Sequence, residues 1–452
     1  MNRRDFLVTT AAAVVGAGTD LAAARGQGAT QPSAPGEVAD ARTSAPSDRV
    51  RVAVIGTGRQ GVSDMRAHMA LPDVEVVAIC DVYEPNLAIA AEVAPHAVRE
   101  SDFRRILDRQ DVDAVIIGTP DHWHALQTVM ACQAGKDVYV EKPTSVAITE
   151  GRRMVEAARK YSRIVQVGTQ QRSQPHFADV VGLVRGGKLG TVTMVRAWNV
   201  GNQAPEGIGS PPDGNPPPGL DWDLWLGPAP KVPFNPNRFG VFPNAWSYFR
   251  YFWDYAGGLM TDWGVHLIDI VHWAMDVDAP TAVTATGGKL ALQDNRDTPD
   301  TLVATYQYPG FVMCYETRSA NGRPINEHGY GIEFYGTEGT LFVDRGGFTV
   351  VPERRRVSGQ EFVDRTDPVS GTAPPPRTSH ARNFIDCVKS RALPICDIEI
   401  GHRSSSAAIL GNLAYRSGAS LRWDGKEEEI AGNDAAAKLL DRRYRKPWKL
   451  KV

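Results

Sequence analysis

Between residues 50 and 172, short apolar runs rich in β-branched residues alternate with longer stretches whose apolar positions recur three and four apart. The runs are "VRVAVI", "VEVVAIC", "DAVIIGTP", "DVYVEKP" and "RIVQVGT". Runs that are apolar on both faces are the pattern of strands buried inside a parallel sheet. The stretches "VSDMRAHMAL", "FRRILDRQ", "HALQTVMACQAG" and "TEGRRMVEAARKY" have helical spacing. This alternation predicts a doubly wound parallel sheet, a Rossmann-type domain over residues 50–172.

From about residue 175 the pattern changes. After the helical "FADVVGLVRGG" come strand-like runs: "TVTMVRAWNV", "TAVTATGGKLAL", "TLVATYQY", "FVMCYETR", "YGIEFYGT" and "GTLFVDR". Turn signals such as "YPGF" and "GTEGT" separate them. "HARNFIDCVKSR" and "GHRSSSAAILGNLAYRSG" read as later helices. The fold class is therefore α/β: an N-terminal Rossmann doubly wound parallel sheet, then a C-terminal α+β domain (173–440) with a largely antiparallel open sheet. That second domain is read as the substrate and oligomerisation domain. Within it, residues 200–255 form an irregular insert in which Pro is frequent, and Trp222, Trp225, Trp246 and Trp253 crowd together there, with Trp198 just before them. Two readings of these rings stay open: flat platforms for sugar faces, or a satellite apolar cluster beneath a long loop. Residues 441–452 form a basic tail, read as a solvated or packed terminus.

The first 24 residues belong to neither domain. Arg3 and Arg4 precede a weakly apolar Val/Ala/Thr/Gly run, and Ala22-Ala23-Ala24 offers small residues at a cleavage point. These parts predict a signal peptide of twin-arginine (Tat) type over 1–24, followed by a flexible linker over 25–49. The mature chain is expected to be periplasmic or otherwise exported, with the twin-arginine machinery as a partner. No apolar stretch is long enough to predict a membrane span.

The chain has 452 residues, 42% hydrophobic and 23% charged, with a formal net charge of −2. That is a soluble globular composition without a field for nucleic acid or an anionic membrane. Five cysteines and no C-x-x-C pair argue against a zinc ribbon, and no metal site is expected. Whether Cys387 and Cys396 pair stays open.

The candidate chemistry sits at the strand ends. Gly56, Gly58 and Gly61 form G-x-G-x-x-G between the first strand and a helix, with Arg59 and Gln60 inside the motif, and Asp81 ends the second strand. The glycines allow a tight turn and close approach of a pyrophosphate, while the acid suits a ribose 2′-hydroxyl and repels a 2′-phosphate. NAD is therefore the expected cofactor, NADP the lesser option. Ligands of open sheets lie beyond the carboxyl ends of the strands, which places Thr119, Pro120, Asp121, His122, His124, Glu141, Lys142 and Pro143 at the ligand edge. In "DWGVHLID", Asp262 and His266 are four apart, on one face of a helix, so the acid is expected to orient the imidazole as a general base.

"GTGRQG", "GTPDHWH", "VEKP" and "DWGVHLID", in that order, resemble the glucose–fructose oxidoreductase / inositol dehydrogenase / MocA (Gfo/Idh/MocA) family over residues ~50 to ~425. The export signal, the tryptophan-rich insert and "LDWDLWLGP" resemble its secreted branch. The resemblance implies an NAD-dependent oxidoreductase acting on CH–OH groups of a sugar or polyol. It implies Lys142, Asp262 and His266 as the catalytic set, with Lys142, Arg172, Asp262 and His266 meeting substrate. It also implies Thr119, Pro120, His124, Glu141, Lys142 and Gln170 along the cofactor, and a homo-oligomer. The family frequently has Asn where this chain has Asp121. Either His266 or Lys142 could be the base. An exported enzyme would carry its NAD tightly bound, loaded before export. The alternatives are an NAD-dependent redox-neutral glycosidase (oxidation, elimination, addition, reduction) and, from another class, a non-catalytic sugar-binding protein.

Overall fold

The computed structural model describes residues 48–243, 247–357, 359, 362–375 and 379–452. The expected signal peptide, residues 25–47 of the expected linker, and Trp246 lie outside them.

The first sheet is built from β1 (Val50–Ile55), β2 (Val74–Cys80), β3 (Val98–Glu100), β4 (Ala114–Ile117), β5 (Asp137–Val140) and β6 (Val165–Val167). Its order is β3-β2-β1-β4-β5-β6, and every neighbouring pair is parallel. Helices α1 (Arg59–Met69), α2 (Glu84–Val93), α3 (Phe103–Leu107), α4 (Asp121–Gln133) and α5 (Ile148–Lys160) connect the strands. Every residue of β4 and β5 is buried, as the unbroken apolar runs require. Chain direction away from the sheet centre reverses between β1 and β4, and a crevice opens there beyond the strand ends. The sequence pattern missed α2 and the short edge strand β3. Helix α2 opens with Pro85 in its first turn, which reads as a breaker but is tolerated there because that N–H has no intrahelical partner.

The second half adds α6 (Pro175–Arg185), β7 (Val192–Val200), α7 (Trp222–Leu226), α8 (Pro236–Phe239), α9 (Gly258–Asp262) and α10 (Gly264–Met275). Strands β8 (Ala282–Gly288), β9 (Thr301–Tyr308), β10 (Phe311–Arg318), β11 (Tyr330–Gly336), β12 (Gly339–Asp344) and β13 (Gly347–Pro352) follow. Beyond a small β14 (Arg354–Arg356) and β15 (Phe362–Asp364) hairpin come β16 (Val369–Thr372), α11 (His380–Ser390), α12 (Ile398–Ser417), β17 (Leu421–Asp424), β18 (Glu429–Ala431) and α13 (Asp434–Ala437). Ten strands form one sheet in the order β16-β13-β12-β11-β7-β10-β9-β8-β17-β18. Only β7 and β10 run parallel; the other pairs are antiparallel. Burial alternates along β10 and β12, so one face packs on α6, α10 and α12 while the other is open.

Two returns of the chain tie the halves together. Phe384, Ile385 and Cys387 of α11 join the core on one side of the first sheet. Arg152 of α5 donates to Glu399 of α12 and to Glu428. The basic tail is a packed terminus: Trp448 stacks on Phe103 and meets Trp123 edge-on. Arg442 donates to the buried Glu150 carboxylate (2.7 Å) and to the His122 carbonyl (2.7 Å). All five cysteines are free thiols, so Cys387 and Cys396 do not pair.

In the insert, Trp225 stacks on Trp222 at 4.7 Å and packs with Phe234, Phe239 and Tyr255. These rings form a satellite core rather than open platforms. Trp198 on β7 is fully buried and donates to the His328 carbonyl.

Removing Arg442 would strand the Glu150 carboxylate in the interior with only neutral donors. Arg442→Ala is expected to lower the unfolding free energy by about 3 kcal/mol, read from urea denaturation.

Candidate active site

The crevice between β1 and β4 is shaped by backbone contact. Gly56 has φ +84°, and a Cβ on Gly61 would sit 1.8 Å from the Gly56 carbonyl oxygen. A Cβ on Gly118 would lie 2.7 Å from the Gly61 α-carbon. The loops after β1 and β4 therefore touch main chain to main chain, and only glycine fits. Helix α1 starts at Arg59 with no side chain capping it, so its first N–H groups and dipole remain available to a pyrophosphate.

Asp81 closes one end of the crevice. Its Oδ2 accepts from the Thr57 N–H (2.7 Å) and its Oδ1 from the Tyr83 N–H (2.9 Å). Burial pushes this carboxyl up to about 6 against those hydrogen bonds. The same cavity is walled by Phe103, Trp123, Leu224, Trp225, Phe239 and Val241. Four of these belong to the insert, which thus roofs the end of the crevice where an adenosine fits. Glycines that cradle phosphate, free helix N–H groups, an acid and an apolar slot together suit a nicotinamide dinucleotide.

Thr119, Pro120, Asp121, His124, Glu141 and Lys142 line the other end. His124 lies between the Pro143 and Thr119 carbonyl oxygens (2.7 and 2.8 Å) and links the two strand-end loops. Asp121, in the first turn of α4, is pushed up to about 7 by burial, which Arg250 and Lys142 offset in part. Burial also pushes Glu141 up, with Lys142 opposing. A Cβ on Gly168 would meet the Glu141 carboxyl at 2.2 Å, so that side chain is boxed in.

The pocket continues past Lys142 to Arg59, Gln60, Gln170, Ser247, Arg250, Asp262, Trp263, His266 and Arg345. Lys142 Nζ donates to Asp262 Oδ1 (2.8 Å) and to the Asp262 carbonyl (3.1 Å). Arg250 Nε donates to the same Oδ1 (2.9 Å). Burial alone would raise the Asp262 carboxyl, but the Lys142 and Arg250 charges and hydrogen bonds hold it well below the usual carboxylate range. His266 is driven well below the usual imidazole range by burial and by the nearby Lys142 and Arg345 cations. It is neutral at physiological pH, and its Nδ1 is buried without a hydrogen-bond partner. Gln170 Oε1 is likewise buried and unpartnered.

Two expectations need correction. Asp262 does not orient His266: it ends α9, Trp263 breaks the helix before α10, and the carboxylate is taken by Lys142 and Arg250. Arg172 does not reach the pocket. It donates to Asp269 (2.7 Å), which is completely buried on α10, and its guanidinium lies over Trp273. That pair anchors α10 from behind.

Arg250, Trp263, Ser247 and Arg345 were not anticipated. Arg250 hides in the aromatic run "SYFRYFW", and Arg345 follows the last residue of β12. Arg345 sits in the turn of an antiparallel pair, where the strand-end rule for parallel sheets gives no signal.

Residues 50–169 match the model of the oxidoreductase family with an NAD-binding Rossmann fold, and residues 207–307 and 367–450 match that family's C-terminal alpha/beta domain. The chain is 25% identical to the uncharacterized oxidoreductase YrbE of Bacillus subtilis over 317 residues, 70% of this chain and 78% of YrbE. It is 34% identical to a glycosyl hydrolase family 109 protein of Saccharopolyspora erythraea over 204 residues, 42% of this chain but only 44% of that protein. The solved structure of levoglucosan dehydrogenase with NADH and levoglucosan superposes with a TM-score of 0.62 at 18% identity, over 83% of this chain and 99% of that one.

The Asp262 carboxyl has a lower pKa folded than unfolded, so its stabilising contribution is complete above about pH 4 and is lost as pH falls below that. Asp262→Asn also strands two cations. It is expected to cost about 3 kcal/mol in urea unfolding at pH 7, and the difference from the native protein should shrink below about pH 4.

Proposed function

The chain belongs to the Gfo/Idh/MocA oxidoreductase family, and from that premise we propose that it moves a hydride between a hydroxyl-bearing carbon of a sugar or polyol and NAD. The observation that carries this reading is the Lys142–Asp262–Arg250 cluster with a neutral His266 in one pocket, continuous with the dinucleotide crevice. When bound, the nicotinamide supplies hydride acceptance or donation.

The residues divide the remaining work. An ammonium has three N–H donors, and Lys142 gives two to Asp262. The third holds the substrate hydroxyl oxygen and opposes the negative charge that develops there. His266, kept neutral, accepts the hydroxyl proton. Asp262 and Arg250 fix the Lys142 ammonium in place. Asp81 favours NAD over NADP by repelling a 2′-phosphate. The roof from the insert supports tight retention of the cofactor. That in turn suits an enzyme exported folded by the twin-arginine route to the periplasm, as residues 1–24 support. The open face of the ten-stranded sheet, with Met194 and Val312 exposed, supports a homo-oligomer.

The family 109 relative favours a second reading, a redox-neutral glycosidase using the same residues. Oxidation at one carbon acidifies the neighbouring C–H, the aglycone is eliminated, water adds and the ketone is reduced back. Absorbance at the reduced-nicotinamide band, followed with a panel of sugars, polyols and aryl glycosides, separates the two. Persistent reduction supports the dehydrogenase, whereas aglycone release without net reduction supports the glycosidase.

Lys142→Met is expected to lower kcat by about 10²–10⁴ while NADH binding, read by fluorescence, stays within about threefold. Surviving turnover would overturn this site. Because His266 stays neutral, the acidic limb of kcat/KM that reports it should lie below pH 6.5; a limb at or above 6.5 would argue against His266 as the base.

A further inference from the structure

The pocket beside Lys142 is lined by more basic than acidic side chains, with Asp121 acting on Lys142 and Arg250 from next door. Arg59, Lys142, Arg250 and Arg345 line it, against the carboxyls of Glu141 and Asp262. Asp262 is consumed, since one of its oxygens accepts from both Lys142 and Arg250. Glu141 is boxed against Gly168, where burial favours its neutral form. Arg59 is exposed at the start of α1, where water screens it.

Arg345 is different. It is half-buried in the turn between β12 and β13, with its guanidinium stacked over Trp263 at 4.9 Å. Trp263 is in turn fixed by Tyr330 at 4.8 Å. The hydrogen bond of the Arg345 side chain runs from Nε to Gln171 Oε1 (3.2 Å), a neutral partner. Among the described residues no carboxylate forms an ion pair with it. Asp344, its chain neighbour, is taken by His328 and by the Gly346 N–H of its own turn. A guanidinium stacked on an aromatic shelf with its outer fork uncommitted is preorganised for a planar anion. Asp262 and Glu141 act on that charge only at a distance, so a ligand that supplies a direct ion pair is favoured over a neutral one of the same shape.

Building on the hydride-transfer reading above, we propose that the substrate is a carbohydrate bearing a carboxylate, a uronic or other sugar acid, with Arg345 binding the carboxylate while Lys142 holds the reacting hydroxyl. One uncommitted, half-buried cation matches one negative charge. A phosphate dianion would ask for a second, and Lys142 and Arg250 are already shared with Asp262. Arg345 is thus a specificity-determining residue.

The test is direct binding to the NADH-loaded protein, by calorimetry and thermal shift, of D-glucuronate against D-glucose, D-galacturonate against D-galactose, and glucose 6-phosphate. In at least one pair the acid should bind at least about tenfold more tightly than its neutral partner and more tightly than the phosphate. Arg345→Gln should bring the acid down to the neutral level while NADH still binds. Neutral sugars binding as well as the acids, no acid binding at all, the phosphate binding most tightly, or a preference that survives Arg345→Gln would each overturn the proposal. Neutral sugars that nonetheless reduce NAD would leave the oxidoreductase reading standing without this one. Selective acid binding with neither NAD reduction nor aglycone release would do the reverse.

Discussion

A single carboxylate, that of Asp262, accepts from Lys142 at the end of a first-sheet strand and from Arg250 in the insert. Lys142, 120 positions away, and Arg250, 12 positions away, meet Asp262 at one buried anion, which joins the first sheet to the second half of the chain at the pocket. Because both cations are largely desolvated, losing the anion would cost more than an exposed ion pair is worth. The surrounding carboxyls do not share its state. Asp121 and Glu141, which also feel the Lys142 charge but make no ion pair with it, are pushed toward their neutral forms by burial. Charge is held most firmly on one acid, while burial biases the two others toward their neutral forms. Burial pushes the Asp121 carboxyl up to about 7, and its protonated form can donate a hydrogen bond as an amide does.

The first sheet was legible because its physics is local. A strand buried on both faces must be apolar throughout, and β4 and β5 are. A loop in backbone contact with its neighbour must be glycine, and Gly56, Gly61 and Gly118 are. The open sheet was legible from its alternation, as along β10. What escaped depended on contacts distant in sequence. Helix α2 has little periodicity and begins at a proline, and β3 is only three residues long. Asp262 and His266 stand four apart, but the helix breaks between them at Trp263, which no spacing rule reveals. Arg172 carried the charge expected of a ligand group, yet its partner Asp269 lies 97 positions away and turns it into packing.

The insert shows why aromatic content alone misleads. Its tryptophans could have been platforms for a ligand. Instead Trp222 and Trp225 bury one another against Phe234 and Phe239, and this satellite core presses Val241 toward the phosphate loop, where a Cβ on Gly58 would meet it at 3.0 Å. The aromatic mass acts on the cofactor crevice from above.

The return of α11 to the first sheet, where Phe384 and Ile385 complete a core begun by Val50 and Val52, has a consequence for biosynthesis. A nascent chain emerging from the ribosome carries all six strands of that sheet long before α11, which supplies the last part of the cover on one face. Helices α1 and α2 cover part of that face early through Met65, Leu87 and Ala90, and α11 completes it late. Until residues beyond 380 have emerged, the apolar positions that Phe384 and Ile385 cover stay exposed, so full burial of this core is a late event in synthesis.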